Sequence, residues 1–238
     1  MKKNYLLLMA VILLCKVSDA QYYTFLTFGY NGGISNSKAV VNNFVKDYND
    51  IRPYNTQKMN PQDYIQGFTG SWGWGSDGLF LDFMYTNKYS LQTAIGVPPS
   101  TGVLTRRDVR FTYNTLSVCM YFVNFEHKSF RGPGLSIDFG KMKQRTRVGD
   151  AGTLETTDYT DVGISKTLGL TLCYDYKVKI VKGVFLGFRP YYQFLRSEAD
   201  ILSIASTINK SFTGSSTKLK GGNYGVQLNL GFGTYHYN

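Results

Sequence analysis

Few side chains in this 238-residue chain have types and spacings that suit catalysis or metal binding. The only histidines are His127 and His236, and neither stands at a zinc-ligand spacing from a cysteine or from the other. Cys119 and Cys173 lie in separate strand-like runs, and the sequence alone does not show whether they pair. We expect two half-buried free thiols, no metal site and no cofactor.

Charged side chains within strand-like segments form a second candidate group. In GLTLCYDYKVKI (169–180), Asp175 and Lys177 alternate with apolar and aromatic residues, so they share one face of a strand. A buried charge without a partner is costly, so such residues need each other. We predict an interior salt-bridge and hydrogen-bond network with a structural role, in preference to ion conduction, drawn from Asp82, Asp138, Asp175, Lys177 and Arg189.

The elements that would position these charges are β-strands. Aromatic residues make up 16% of the chain and charged residues only 18%, a mixture that favours strands and turns. Alternation of apolar with small or polar residues indicates eight strands. They lie at 22–30, 65–75, 78–87, 108–123, 133–145, 162–180, 183–195 and 222–236.

The connections between these runs alternate between long and short along the whole chain. An antiparallel sheet with its long loops at one end and its short turns at the other produces this order, which is typical of outer-membrane barrels. The apolar stripe of the sixth run covers about 13 residues, a height of roughly 33 Å at the usual strand tilt. Aromatic residues predicted at the membrane interfaces are Trp72, Trp74, Tyr174 and Tyr176.

With these features the chain resembles the eight-stranded outer-membrane β-barrels of Gram-negative bacteria, the OmpA/OmpX-like and PorT-like group. The resemblance covers residues 21–238 and rests on architecture. The closing strand YGVQLNLGFGTYHYN is similar to the family's C-terminal assembly signal, although it ends in Asn238 and has Thr234 at an expected aromatic position. The resemblance implies an all-β, eight-stranded antiparallel transmembrane barrel with short periplasmic turns, long extracellular loops and a place in the outer membrane.

The first twenty residues have the pattern of a cleaved signal peptide. Lys2 and Lys3 precede the apolar stretch 5–14, and SDA (18–20) is a cleavage-site pattern. We expect residues 1–20 to be removed and 21–238 to form one barrel domain. An N-terminal membrane anchor is the alternative, and Leu14 before Cys15 argues against a lipoprotein.

The first long loop predicts a short amphipathic helix within 35–50. We expect it to close over the barrel rim, with a plug, a membrane-surface helix or a partner site as alternatives. The helical stripe consists of Val40, Val41, Phe44, Val45, Tyr48 and Ile51.

Two strands depart from simple alternation. Lys141 and Lys143 continue an otherwise apolar face, so either the lipid-facing stretch is short there or a bulge at Gly140 exchanges the faces. The fourth run changes phase, and a bulge near Asn114 would reconcile its two halves.

An eight-stranded lumen filled by side chains leaves no open pore, so a general porin is disfavoured. The leading hypothesis is a structural or surface-binding role carried by the extracellular loops, with outer-membrane lipids, lipopolysaccharide phosphates or a protein as partners, and no nucleic acid. The basic loop residues that could meet such phosphates are Arg106, Arg107, Arg145, Arg147, Lys210, Lys218 and Lys220.

Two alternative functions remain. One is an accessory role in secretion or envelope assembly, which the PorT-like resemblance implies. The other is a lipid-modifying enzyme, which would need a serine–histidine pair with an orienting carboxylate. We expect no enzyme, because His127 and His236 are both placed at the periplasmic end, away from the outer leaflet.

Overall fold

A computed structural model describes residues 22–126, 129–153, 157–208 and 217–236 as nine β-strands and two helices. The predicted signal peptide, His127 and Lys210 lie outside the described residues. The strands are β1 (Tyr22–Ser35), β2 (Ile65–Ser76), β3 (Leu79–Gly96), β4 (Thr105–Tyr121), β5 (Asn124–Glu126), β6 (Ser129–Asp150), β7 (Thr160–Val181), β8 (Val184–Ser197) and β9 (Asn223–His236). The helices are α1 (Lys38–Asp50) and α2 (Ile201–Ile208).

Eight long strands form a closed antiparallel barrel, and the three-residue strand β5 only extends the start of β6. Each long strand pairs with its neighbours in sequence, β4 pairs with β6, and β1 pairs with β9 to close the barrel. Tight turns at Gly78 and Gly183, both with positive φ, join β2 to β3 and β7 to β8. The predicted eight-stranded transmembrane barrel, with short turns at one end and long loops at the other, is confirmed.

The outward face of the barrel is a continuous apolar band. Among its members are Phe28 of β1, Phe83 of β3, Leu116 of β4 and Phe188 of β8, all largely exposed. The inward positions between them are buried. An apolar exterior around a polar interior is the reverse of a water-soluble barrel and suits a lipid surround. No helix among the described residues is long and apolar enough to cross a membrane.

The interior consists of three layers stacked along the barrel axis. At the short-turn end, rings from five strands pack edge to face, with Phe25 4.9 Å from Phe185 and Phe80 5.1 Å from Phe130. The middle layer is polar and charged. At the long-loop end, α1 and α2 cover the mouth and pack on apolar residues of the strands. Buried side chains therefore occupy the interior in all three layers.

The helix predicted in the first loop is confirmed as α1. It closes the rim by inserting its apolar face into the barrel mouth. Val41, Phe44, Val45 and Tyr48 are buried within the mouth, against strand residues and the apolar face of α2. Ser37 precedes the helix, but its hydroxyl donates to the Lys220 carbonyl, 2.7 Å away, and does not cap the helix.

The bulge expected near Asn114 is absent, because β4 pairs in unbroken register with both β3 and β6. The phase of the sequence changes because Val109, Phe111 and Tyr113 face inward, where the helical roof makes the interior apolar. The change of phase therefore reflects inward residues that become apolar toward the long-loop end of an uninterrupted strand.

The register of β6 also runs without interruption through Gly140, and its shift against β7 lies higher, between Gln144 and Arg145. Lys141 is exposed on the same outward face as Phe139. Of the two alternatives for this strand, the short lipid-facing stretch is correct. The apolar band ends at Phe139.

Candidate functional site

The middle layer of the lumen is organised around Arg189 on β8. Its Nη2 donates to Asp82 Oδ2 at 3.0 Å and to Asp175 Oδ2 at 2.8 Å, and its Nη1 donates to Gln227 Oε1 at 3.3 Å. Lys177 forms an ion pair with Asp175 and lies 4.2 Å above the Phe130 ring. All four charged side chains are buried, and their charges cancel.

Asp138 is buried in the lumen but does not join the Arg189 group. It accepts hydrogen bonds from Ser136, Thr171 and Gln193. The Gln193 side chain also accepts from Lys88 Nζ at 3.0 Å, so an amide bridges a buried carboxylate and a buried ammonium. The structure thus brings four of the five expected lumen charges together and places the fifth in a second group.

Lys88 is absent from the sequence prediction, although its ammonium is among the most buried charges of the barrel. Besides Gln193 it donates to Asn223 Oδ1 at 2.6 Å, and it lies 4.8 Å from the Tyr191 ring centroid. With Lys88 the lumen groups contain three cations and three carboxylates. The formal charges of the two groups therefore cancel within the lumen.

The described residues contain no group of three or more His, Cys, Asp or Glu side chains that could hold a metal ion. Cys119 is buried and Cys173 half-buried, and both are free thiols. They line the same layer as Tyr121 and the Arg189 group.

Four of the predicted basic loop residues lie on strands, and three of these four form ion pairs. Asp108 is fully buried on the outer face of β4, where Arg106 and Arg147 each approach it to 3.0 Å. Arg145 pairs with Asp161 on β7. Burial raises the pKa of Tyr159, which lies 4.5 Å below the Arg147 guanidinium and helps to cover this cluster.

The remaining predicted bases have different surroundings. Arg107 points inward, beneath the segment that follows α1. Lys218 and Lys220 are exposed on the segment between α2 and β9, where Lys218 forms a backbone bridge with Asp200. None of the four predicted bases on strands therefore supplies an exposed, unpaired positive charge to the outer face among the described residues.

Three other residues supply exposed positive charge on the outer face, and we call them the basic rim: Lys141 on β6, Lys166 on β7 and Arg196 on β8. Lys141 and Lys166 are direct cross-strand partners, and Arg196 is paired in register with Leu168. No ion pair is formed by any of the three within the described part of the chain. The signal in the sequence was the lysine that continued the apolar face of β6.

The basic rim stands directly above the apolar band. Phe139, Leu168 and Phe194, one step nearer the short-turn end on the same three strands, are each more than half exposed, at 52, 57 and 53%. A groove of about 730 Å³ includes Lys166 and Arg196 in its lining, together with apolar side chains such as Ile164 and two acidic residues, Glu198 and Asp200. On each of these strands the outward face therefore changes from an apolar to a cationic side chain over two residues.

The four predicted interfacial aromatics lie on the outward face, in two separate places. Trp72 and Trp74 are neighbours on β2, with ring centroids 4.8 Å apart, and Trp74 stacks on Phe83 at 5.5 Å. Tyr174 and Tyr176 lie on β7, which three strands separate from β2.

No protein-family model and no curated protein matches the chain. Among the solved structures that resemble it, three cover 90% of its length. They are Ail, the attachment invasion locus protein of Yersinia pestis, in complex with the heparin analogue sucrose octasulfate (TM-score 0.46, 9% identity, 99% of that chain); neisserial surface protein A (0.38, 12%, 96%); and the N-terminal β-barrel domain of Pseudomonas aeruginosa OprF (0.36, 10%, 97%).

Proposed function

We propose that this chain is a non-conducting barrel of the outer membrane whose basic rim binds the phosphate groups of lipopolysaccharide at the outer leaflet. The observation that carries the proposal is the direct opposition of Lys141 and Lys166, without counter-ions among the described residues, immediately above Phe139 and Leu168. No enzymatic activity is part of the proposal, and residues 1–20 are proposed as its signal peptide.

Like charges directly opposite each other on neighbouring strands are destabilising. The barrel tolerates this pair at a position where a lipid surround would supply anionic headgroups. A phosphate between two ammonium groups would form charge-assisted hydrogen bonds to both, with Arg196 within reach along the same rim. The apolar groove beside Lys166 would give the adjoining acyl chains a surface of matching character.

The outer-membrane placement predicts that both tryptophans of the chain contact lipid. Because Trp72 and Trp74 lie on the outward face, refolding into vesicles of brominated phospholipid should quench most of the tryptophan fluorescence. Trp72→Phe and Trp74→Phe, each retaining one indole, would then report the depth at each position through lipids brominated at different carbons. Fluorescence that is equally bright in brominated and ordinary lipid would contradict the placement.

Charge reversal tests the basic rim. The double variant Lys141→Glu/Lys166→Glu should bind lipopolysaccharide at least about tenfold more weakly than the unaltered barrel, because two attractive contacts become repulsive. The measurement is lipopolysaccharide binding to protein refolded in neutral detergent micelles. Binding by the unaltered barrel should weaken as salt is raised and when the lipopolysaccharide is dephosphorylated.

The matched control is Lys46→Glu/Lys58→Glu, which makes the same change in net charge on exposed positions of the first loop, away from the rim. It should retain binding. Equal affinities of the rim variant and this control, or indifference to dephosphorylation, would refute the proposal. Heat-modifiable migration in detergent would establish that each variant is folded.

A further inference from the structure

A second cationic site lies inside the barrel mouth, apart from the lipid-facing rim. It is a small cavity of about 140 Å³ between the segment that follows α1 and the long-loop ends of β3, β4 and β6. Tyr48, Arg52, Asn55 and Arg107 supply its polar lining. We call it the mouth pocket.

Arg52, one of the residues that line this pocket, has a donor without a partner. Its Nη2 donates to the Ile208 carbonyl at 3.0 Å, and its guanidinium lies 4.1 Å from the Tyr48 ring centroid, so two contacts hold the group in place. The other terminal nitrogen, Nη1, is buried and makes no hydrogen bond within the described structure. A buried guanidinium donor without an acceptor is costly and indicates a missing ligand.

Arg107 brings a second guanidinium to the same space. It reaches inward from β4, where its Nη1 lies 3.5 Å from Thr146 Oγ1 and the Tyr48 hydroxyl is a second hydrogen-bond partner. The Arg52 guanidinium lies near that of Arg107, so two like charges meet at this pocket. No aspartate or glutamate is among the residues that line the pocket.

The mouth pocket therefore contains two like charges, an unused donor and no described counter-ion, in a volume that suits one small group. We propose that it binds a tetrahedral oxyanion, sulfate or phosphate, either as a free ion or as an ester group that reaches the barrel mouth. The planar fork of a guanidinium fits two oxygens of such a group, and two forks converging on one anion would hold it firmly. The inference goes beyond the lipid-binding function, because these residues lie within the mouth.

Calorimetric titration of the full barrel in detergent micelles tests this pocket with three probes: sodium sulfate, inorganic phosphate and glucose 6-sulfate. The Lys141→Glu/Lys166→Glu barrel, which lacks the basic rim, should still bind at one site. Arg52→Gln and Arg107→Gln should each weaken binding roughly ten- to a hundredfold, the effect of losing a charge-assisted hydrogen bond. Tighter binding of glucose 6-sulfate than of the inorganic ions supports a sugar ester as the source, and the reverse order supports a free anion in the same pocket.

The matched control is Arg145→Gln, which removes an arginine at the same end of the barrel that is already paired with Asp161. Its affinity should equal that of the unaltered chain. The proposal is overturned if none of the three probes binds, or if the two pocket variants bind as well as the control. Because lipopolysaccharide is absent from this titration and the rim variant isolates the pocket, its outcome is independent of the lipid-binding test.

Discussion

Replacing Arg189 by methionine should lower the unfolding free energy of the barrel by about 3–5 kcal/mol, the cost of breaking a buried ion pair by removing one partner. Arg189 neutralises both Asp82 and Asp175 in the lumen. Asp175 would keep Lys177, but Asp82 would lose its ion pair in a layer that offers no other cation within bonding distance among the described residues. Methionine retains much of the volume of the arginine side chain, so the loss of stability would come mainly from the unpaired Asp82 carboxylate.

Denaturant unfolding of the barrel in phospholipid vesicles measures this effect. Arg196→Met on the same strand is the control, because Arg196 is exposed and unpaired among the described residues, and its unfolding free energy should change by less than about 1 kcal/mol. The double variant Arg189→Met/Asp82→Asn should recover part of the lost stability, because it also removes the Asp82 charge that is left unpaired in Arg189→Met. Equal stabilities of Arg189→Met and Arg196→Met would show that the lumen network is energetically unimportant.

A single methyl group at Gly225 should cost about 3 kcal/mol, the upper end of the range for overpacking. Gly225 faces Gly33 across the pairing of β1 with β9. A Cβ there would lie 2.1 Å from the Gly32 carbonyl oxygen and 2.5 Å from the Gly33 Cα. Both obstacles are backbone atoms, so Gly225→Ala can be accommodated only by moving the two strands apart.

Gly231→Ala is a close control, because it lies on the same strand and the same inward face. Its Cβ would meet nothing nearer than the Thr27 methyl at 3.4 Å, an ordinary contact. We expect its unfolding free energy to stay within about 0.5 kcal/mol of the unaltered barrel. The difference between the two variants, measured by denaturant titration in vesicles, is the expected result, and similar midpoints would contradict the close approach at Gly225.

The barrel and the polarity of its faces could be predicted because alternation reports directly which positions share a face. The extent of the strands could not. Residues 88–96 of β3 remain paired with β4 up to the end of the strand. Their inward side chains include Lys88 and Gln92, and such polar residues are typical of a face exposed to solvent. Lys88 was missed for this reason, since a lysine outside a recognised strand looks like a loop residue.

The candidate sites depend on partners that are distant in the sequence. Arg106 and Arg147 appeared free because Asp108 was not known to lie beneath both. The inward phase of Phe111 makes sense only when α1 and α2 cover it. Conversely, Lys141 stood out in the sequence as an anomaly, but only the register shows that Lys166 faces it.

The positions of the two helices have a consequence for the seam where the chain's first and last strands meet. α1 belongs to the loop that leaves β1, and α2 to the loop that leads into β9, so the helices approach each other from opposite sides of that seam. Arg52 donates to Ile208 across it, and the Asn36 amide donates to the Gly222 carbonyl at 2.9 Å. These contacts join the two helical loops across the seam, so we expect separation of β1 from β9 to require separation of the two helices as well.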